Sequence, residues 1–253
     1  MLLEFLIGLF LPFLGTVLGA ALVFFMRGGL SRRAEEALLG LSGGVMVAAS
    51  IFSLLLPAIE RASYLGTLAF LPAVSGVMAG FFFLLLFDCI FPYHEAGEGG
   101  NAGLRMLVLS VTLHNIPEGM AVGVLLSARL AGDGAVSAAA AITLAIGIAI
   151  QNFPEGAIIS LPLCGGGGGR WRSFFLAVLS ALAELFGALL ALLMASLVGA
   201  LLPFFLSFAA GAMLFVVVDE LVPDAAHAGK AHTGTVFFAL GFSLMTALDV
   251  ALG

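Results

Sequence analysis

The sequence predicts an all-α polytopic membrane protein: eight transmembrane helices in a 3+2+3 inverted-repeat arrangement. Three observations carry this expectation. Of 253 residues, 62% are hydrophobic and 9% charged, whereas roughly a quarter of residues are charged in a soluble domain. Apolar runs recur at about the 20-residue length that crosses the hydrocarbon core; they are too long for strands and lack period-two alternation. A weak internal likeness joins GVMVAASIFSLLLPA (44–58) to GAMLFVVVDELVPDA (211–225). The two stretches cross the membrane in opposite directions, as an inverted pair of three-helix units around a central pair requires.

The runs fall at about 4–26, 37–59, 68–91, 104–128, 135–163, 173–198, 203–222 and 234–252. They form one transmembrane domain over 1–253, with flanking helices in 4–91 and 173–252 and a central pair in 104–163. Between them lie breakers and charges: Arg27-Gly28-Gly29, Arg61-Ala62-Ser63, 92–103, 129–134, 165–172, 199–203 and 223–234. The first run has no basic stretch before it, so it reads as a retained helix rather than a cleaved signal. Arg27, Arg32, Arg33, Arg105, Arg170, Arg172 and Lys230 sit at the odd joints, against Arg61 and Arg129 at the even ones. Positive charge concentrates on the cytoplasmic side. This predicts a multi-pass cell (inner) membrane protein with both termini extracytoplasmic.

Net charge is −6 with no basic tract, which excludes a nucleic-acid partner. Cys89 and Cys164 are expected as free thiols near cytoplasmic helix ends. In the third joint, His94, Glu95 and Glu98 read as a solvated loop. Gly165 to Gly169 is a linker, since no GK[ST] follows it to make a phosphate loop.

The chemistry concentrates in the central pair. LSVTLHNIPEGMAVGVLL is followed 37 positions later by IGIAIQNFPEGAIISLPL. His114 and Glu118 are four apart and share a helix face. Pro117 removes a backbone donor and clashes with the preceding turn, predicting a bend; Gly119 allows a neighbouring helix close. Gln151, Asn152, Pro154, Glu155 and Gly156 repeat the pattern. A carboxylate at the bilayer centre costs about 2.5–3.5 kcal/mol on insertion scales. Glu118, Glu155 and Glu184 are three such groups, with no Lys or Arg in any helix core to neutralise them. A divalent ion is the natural counter-charge. His114, Asn115, Glu118, Gln151, Asn152 and Glu155 form an oxygen-rich set with one imidazole, suited to a first-row transition metal. Met46 offers either apolar packing or a soft thioether ligand, and Ser53 is similarly placed. Asp219, Glu220, Asp224 and His227 form either an inner exit station or a solvated helix end. Asp88 and Asp249 read as interfacial.

HNIPEG and QNFPEG, with FLGTVLGA (13–20), GGVMVAAS (43–50), AELFGALL (183–190) and GAMLFVVVDELVPD (211–224), resemble the ZIP family of divalent-metal transporters, in its bacterial zinc-uptake form. The likeness spans nearly the whole chain. It implies eight helices and a binuclear centre: one metal on His114, Glu118, Gln151 and Glu155, the second on Asn115, Asn152 and Glu184, with Glu118 and Glu155 bridging. Met46 matches a position near the first metal in some members. The resemblance further implies elevator-type transport, often as a homodimer. The third loop departs from the family's His-rich pattern, and Gln151 and Asn152 replace stronger ligands found in some relatives.

The expected activity is uptake of Zn²⁺ into the cytoplasm, with Fe²⁺, Mn²⁺, Co²⁺ and Cd²⁺ as possible cargo and no resident cofactor. Cu⁺ lacks thiolates here, and Mg²⁺ or Ca²⁺ would want more carboxylates. Two rivals stand against it. An intramembrane metalloenzyme lacks support, because Asn115 takes the place of the general base in HEXXH. A proton-coupled carrier of an organic solute leaves the His beside paired Asn and Glu unexplained.

Overall fold

The computed structural model describes residues 2–26, 30–90, 101–130, 137–226 and 232–252. Every regular element among them is helical. α1 (Leu2–Ala20) turns at Ala21 into α2 (Leu22–Phe25). α3 (Arg32–Ala48) passes through a π-helical stretch, Ala49–Leu55, into α4 (Leu56–Arg61). A tighter turn, Ser63–Leu68, leads to α5 (Phe70–Ile90); Gly66, at φ 59°, takes the left-handed conformation that reverses the chain there. α6 (Asn101–Leu130) and α7 (Ala138–Leu163) are the central pair. Cys164–Gly168 links α7 to α8 (Arg170–Leu193). α9 (Ala195–Val216) runs through π-helical Val217–Leu221 into α10 (Val222–Ala226), and α11 (Thr233–Leu252) closes the bundle.

Local chemistry sets several of these starts. Ser31 accepts from the Ala34 amide at 3.3 Å and Ser137 from the Ala140 amide at 2.9 Å, capping α3 and α7. Pro57 and Pro223 each open the short helix that follows a π-helical stretch. Their rings exclude a donor, so the ladder must be re-registered just before them.

Seven stretches among the described residues are long and apolar enough to cross a membrane: Phe5–Phe25, Arg32–Arg61, Phe70–Ile90, Ala138–Leu163, Arg170–Leu193, Leu201–Ala226 and Thr233–Leu252. The chain is therefore a multi-pass helical membrane protein. α6 is not among the seven, although its 30 residues give about 45 Å of helix at 1.5 Å per residue. Helix α6 runs on through Pro117, and α7 through Pro154 and Pro162. The chain leaves helical geometry at Met194 and again at Leu201 (φ −117°, ψ 23°), two residues before Pro203. The spanning stretch Leu201–Ala226 starts at this second break, inside the expected joint 199–203. Arg27, His94, Glu95, Glu98, His227 and Lys230 lie outside the described residues.

Helix pairs meet through small residues, as expected where lipid offers no hydrophobic drive between helices. α1 packs on α7, α6 on α8, α3 on α11 and α5 on α9. A side chain at Gly119 would run into the backbone carbonyl of Glu184, and one at Gly156 into that of Thr16. The outer faces of α5 and α11 carry exposed Phe70, Leu71, Phe82, Leu86, Leu240 and Leu244, an apolar surface suited to lipid. Cys89 and Cys164 are unbridged, as expected.

Gly119→Ala should destabilise the bundle by about 1–3 kcal/mol through overpacking. Gly165→Ala should not, because nothing lies within 4 Å of a Cβ there. Thermal midpoints of the detergent-solubilised protein read both.

Candidate metal centre

Helices α6, α7 and α8 bring six of the expected ligands, Asn115, Glu118, Gln151, Asn152, Glu155 and Glu184, together in the bundle interior. Asn115, Glu118, Gln151 and Asn152 have no exposed surface, Glu184 is 2% exposed, and His114 and Glu155 are 8% exposed. The 3.6-residue period puts His114 and Glu118 on one face of α6, and Gln151 and Glu155 on the matching face of α7. Between the helices, the Gln151 amide nitrogen donates to Glu118 Oε1 at 2.9 Å. The Asn152 amide nitrogen donates to Glu184 Oε2 at 3.1 Å and reaches the Pro12 carbonyl at 3.4 Å. The Asn115 amide nitrogen donates to the Ser180 carbonyl at 3.2 Å. Each amide thus spends its N–H groups on a neighbour.

The oxygens are left over. Asn115 Oδ1, Glu118 Oε2, Gln151 Oε1, Asn152 Oδ1, Glu155 Oε2 and Glu184 Oε1 are buried without a hydrogen-bond partner. An unsatisfied buried polar atom is costly and asks for an explanation. Here six of them belong to residues chosen from the sequence as ligands. Glu118 also lies within electrostatic reach of Glu155 and Glu184, and Glu184 within reach of Glu155, so the carboxylates oppose one another when ionised. Among the described residues, no three His, Cys, Asp or Glu side chains converge to the spacing of a bound ion; Glu118 and Glu184 meet the neutral amides of Gln151 and Asn152 instead.

His114 and Met46 stand apart from these pairs. His114 Nε2 lies 3.3 Å from Glu220 Oε1, bringing Glu220, expected from sequence either in an inner exit station or at a solvated helix end, into direct contact with the imidazole. One cavity is bordered by His114, Glu155, Glu220 and Asp224, and a second by His114 and Asp88. Met46 is fully buried in the apolar cluster with Ala121, Leu144 and Ile148. One turn before it, the Ser42 hydroxyl donates to the Gln151 carbonyl at 3.2 Å. Ser53 donates to Asp249 Oδ1 at 2.7 Å, so Asp249 has an interhelical partner. Buried polar atoms that the sequence reading passed over are the hydroxyls of Thr16 and Thr143, both without a partner. A signal for the first exists: Gly15 and Gly19 bracket it in the G-x-x-x-G spacing of a close helix contact.

The family model described as ZIP Zinc transporter matches residues 94–249. The chain belongs to the ZIP family. It is 36% identical to zinc transporter GufA of Myxococcus xanthus, over 94% of this chain and 96% of that one. It is 37% identical to zinc transporter ZIPB of Bordetella bronchiseptica, over 95% and 79% of the two chains. Human zinc transporter ZIP11 is 32% identical over 99% and 97%. This ZIP chain is accordingly a member of a transporter family and not an enzyme.

The Asn115 to Ser180 tether joins α6 to α8. Asn115→Ala should cost roughly 0.6–1.7 kcal/mol, the range for interhelical polar contacts in membranes. Metal-free thermal unfolding in detergent measures it without involving an ion.

Proposed function

We propose that this protein carries divalent transition-metal ions, Zn²⁺ foremost, across the membrane into the cytoplasm. The observation that carries the reading is the set of six buried, unpartnered oxygens on Asn115, Glu118, Gln151, Asn152, Glu155 and Glu184. A hard or borderline dication would satisfy all of them and relieve the repulsion among three carboxylates. The names of the relatives point the same way, since GufA, ZIPB and ZIP11 are each called zinc transporters.

In this reading the chain crosses the membrane eight times, with α6 as the fourth crossing, in a 3+2+3 order with both termini outside. His114, Glu118, Gln151 and Glu155 hold one ion, with Met46 beside it. Asn115, Asn152 and Glu184 hold a second, and Glu118 and Glu155 bridge. Mixed carboxylate, amide and imidazole ligands bind a dication less tightly than a thiolate cage, which permits release. Fe²⁺, Mn²⁺, Co²⁺ and Cd²⁺ fit the same donors. The ion leaves past Glu220 and Asp224, which border the cavity next to His114. A homodimer within the inner membrane completes the proposal.

The packing constrains how such an elevator moves. α6 is seated on α8, and α7 on α1, at contacts where a Cβ would meet backbone. Those seams cannot slide past each other without separating. The mobile body would therefore hold α1, α6, α7 and α8 together, working against α3, α5, α9 and α11. A central pair moving alone would have to break both seams.

Purified protein in vesicles should take up radiolabelled Zn²⁺, and Glu118→Ala should abolish the uptake. Full uptake by that variant would remove the site from the reading. Protons compete with metal for imidazole and carboxylate donors. Uptake driven by a fixed Zn²⁺ gradient should thus fall as the outside pH drops from about 7 toward 5, and a faster rate at the acidic end would contradict simple competition.

A further inference from the structure

Two helices meet the central pair in the same register. On α8, the Ser180 carbonyl accepts from Asn115, the Glu184 carbonyl lies against Gly119, and Gly187 lies against the Ile116 carbonyl. On α1, the Pro12 carbonyl accepts from Asn152, the Thr16 carbonyl lies against Gly156, and Gly19 lies against the Phe153 carbonyl. The spacings are identical: four residues from Ser180 to Glu184 and from Pro12 to Thr16, then three to Gly187 and to Gly19. The partners on α6 and α7 are the same positions of the two N-x-P-E-G motifs. Thr16 therefore occupies on α1 the place that Glu184 occupies on α8.

The Thr16 hydroxyl behaves unlike most others in the bundle. Ser50, Ser75, Thr112, Ser207 and Thr246 each return their hydroxyl to the carbonyl four residues earlier. For Thr16 that carbonyl is Pro12's, to which Asn152 donates instead. Thr16 is fully buried and its Oγ1 has no partner. Thr143 shares the last property, but it sits two turns before Gln151 on α7 and outside the matched register. By the matched register, the counterpart of the Glu184 to Asn152 contact is a pairing of Thr16 with Asn115, whose Oδ1 is likewise buried and unpartnered.

We propose that Thr16 is a further ion-binding residue, whose hydroxyl oxygen gives the transported cation a neutral contact where Glu184 gives a charged one. The inference rests on the transport reading above. Its consequence is selectivity. A hydroxyl is a hard oxygen donor, and it favours Zn²⁺ or Mn²⁺ over the softer Cd²⁺. It also keeps the site at three carboxylates rather than four, so the ion is not over-held.

The test compares full-length parent, Thr16→Val, Thr16→Ser and Thr16→Cys in vesicles, reading Zn²⁺ and Cd²⁺ uptake separately. Thr16→Val keeps the shape and removes the oxygen. It should raise the half-saturating Zn²⁺ concentration about fivefold, the size of one ordinary polar contact, and leave that for Cd²⁺ closer to the parent's. Thr16→Ser should restore the parent's values. Thr16→Cys, a soft donor, should move the Zn²⁺ to Cd²⁺ preference toward Cd²⁺ even if the valine variant folds poorly. Parent-like Zn²⁺ affinity in the valine variant, or an unchanged preference in the cysteine variant, overturns the assignment while leaving transport intact. No Zn²⁺ flux in the parent overturns the transport reading and this inference with it.

Discussion

Oxygen atoms buried in a lipid-facing bundle are the constraint on which the rest depends. Water is not at hand inside a spanning helix bundle, so every polar atom there needs a protein partner or an ion. This chain satisfies the nitrogens of Asn115, Gln151 and Asn152 with protein acceptors and leaves the neighbouring oxygens open. Three carboxylates add like charge to the same interior. The arrangement is expensive as pure structure and economical as a passage for a dication.

Precision in that interior comes from backbone contact rather than from side-chain bulk. Glu118 and Glu155 are each followed by a glycine seated on the backbone of a flanking helix. The motif thus carries its own fixing point one residue from the carboxylate. In the proposed transport reading, motion of the site is then a matter for whole helices. The π-helical stretches at Ala49–Leu55 and Val217–Leu221 lie on the other set of helices, and the second presents Glu220 to His114.

The sequence made the membrane class, most of the helix runs and the central motif legible, because hydropathy and the duplicated N-x-P-E-G pattern are local signals. Long-range relations were less visible. Glu220 is 106 positions from His114, and only the fold brings the two to 3.3 Å. The π-helical turns leave no mark beyond the prolines that follow them. The sixth joint, expected at 199–203, shows as the break at Leu201, but the earlier break at Met194 has no proline or charge to announce it. Thr16 is a small residue in an apolar run, and its burial without a partner emerges only from the competition for the Pro12 carbonyl.

That competition has a wider meaning for Asn115 and Asn152. An amide can present either end to a visitor, and the wrong end would repel a cation. In both residues the nitrogen is anchored on a flanking helix, which fixes the outward-facing end as oxygen before anything arrives. Polarity at the two positions is thus dictated by scaffolding. In the proposed transport reading, a cation received there is let go by the parting of helices rather than by a rotating amide.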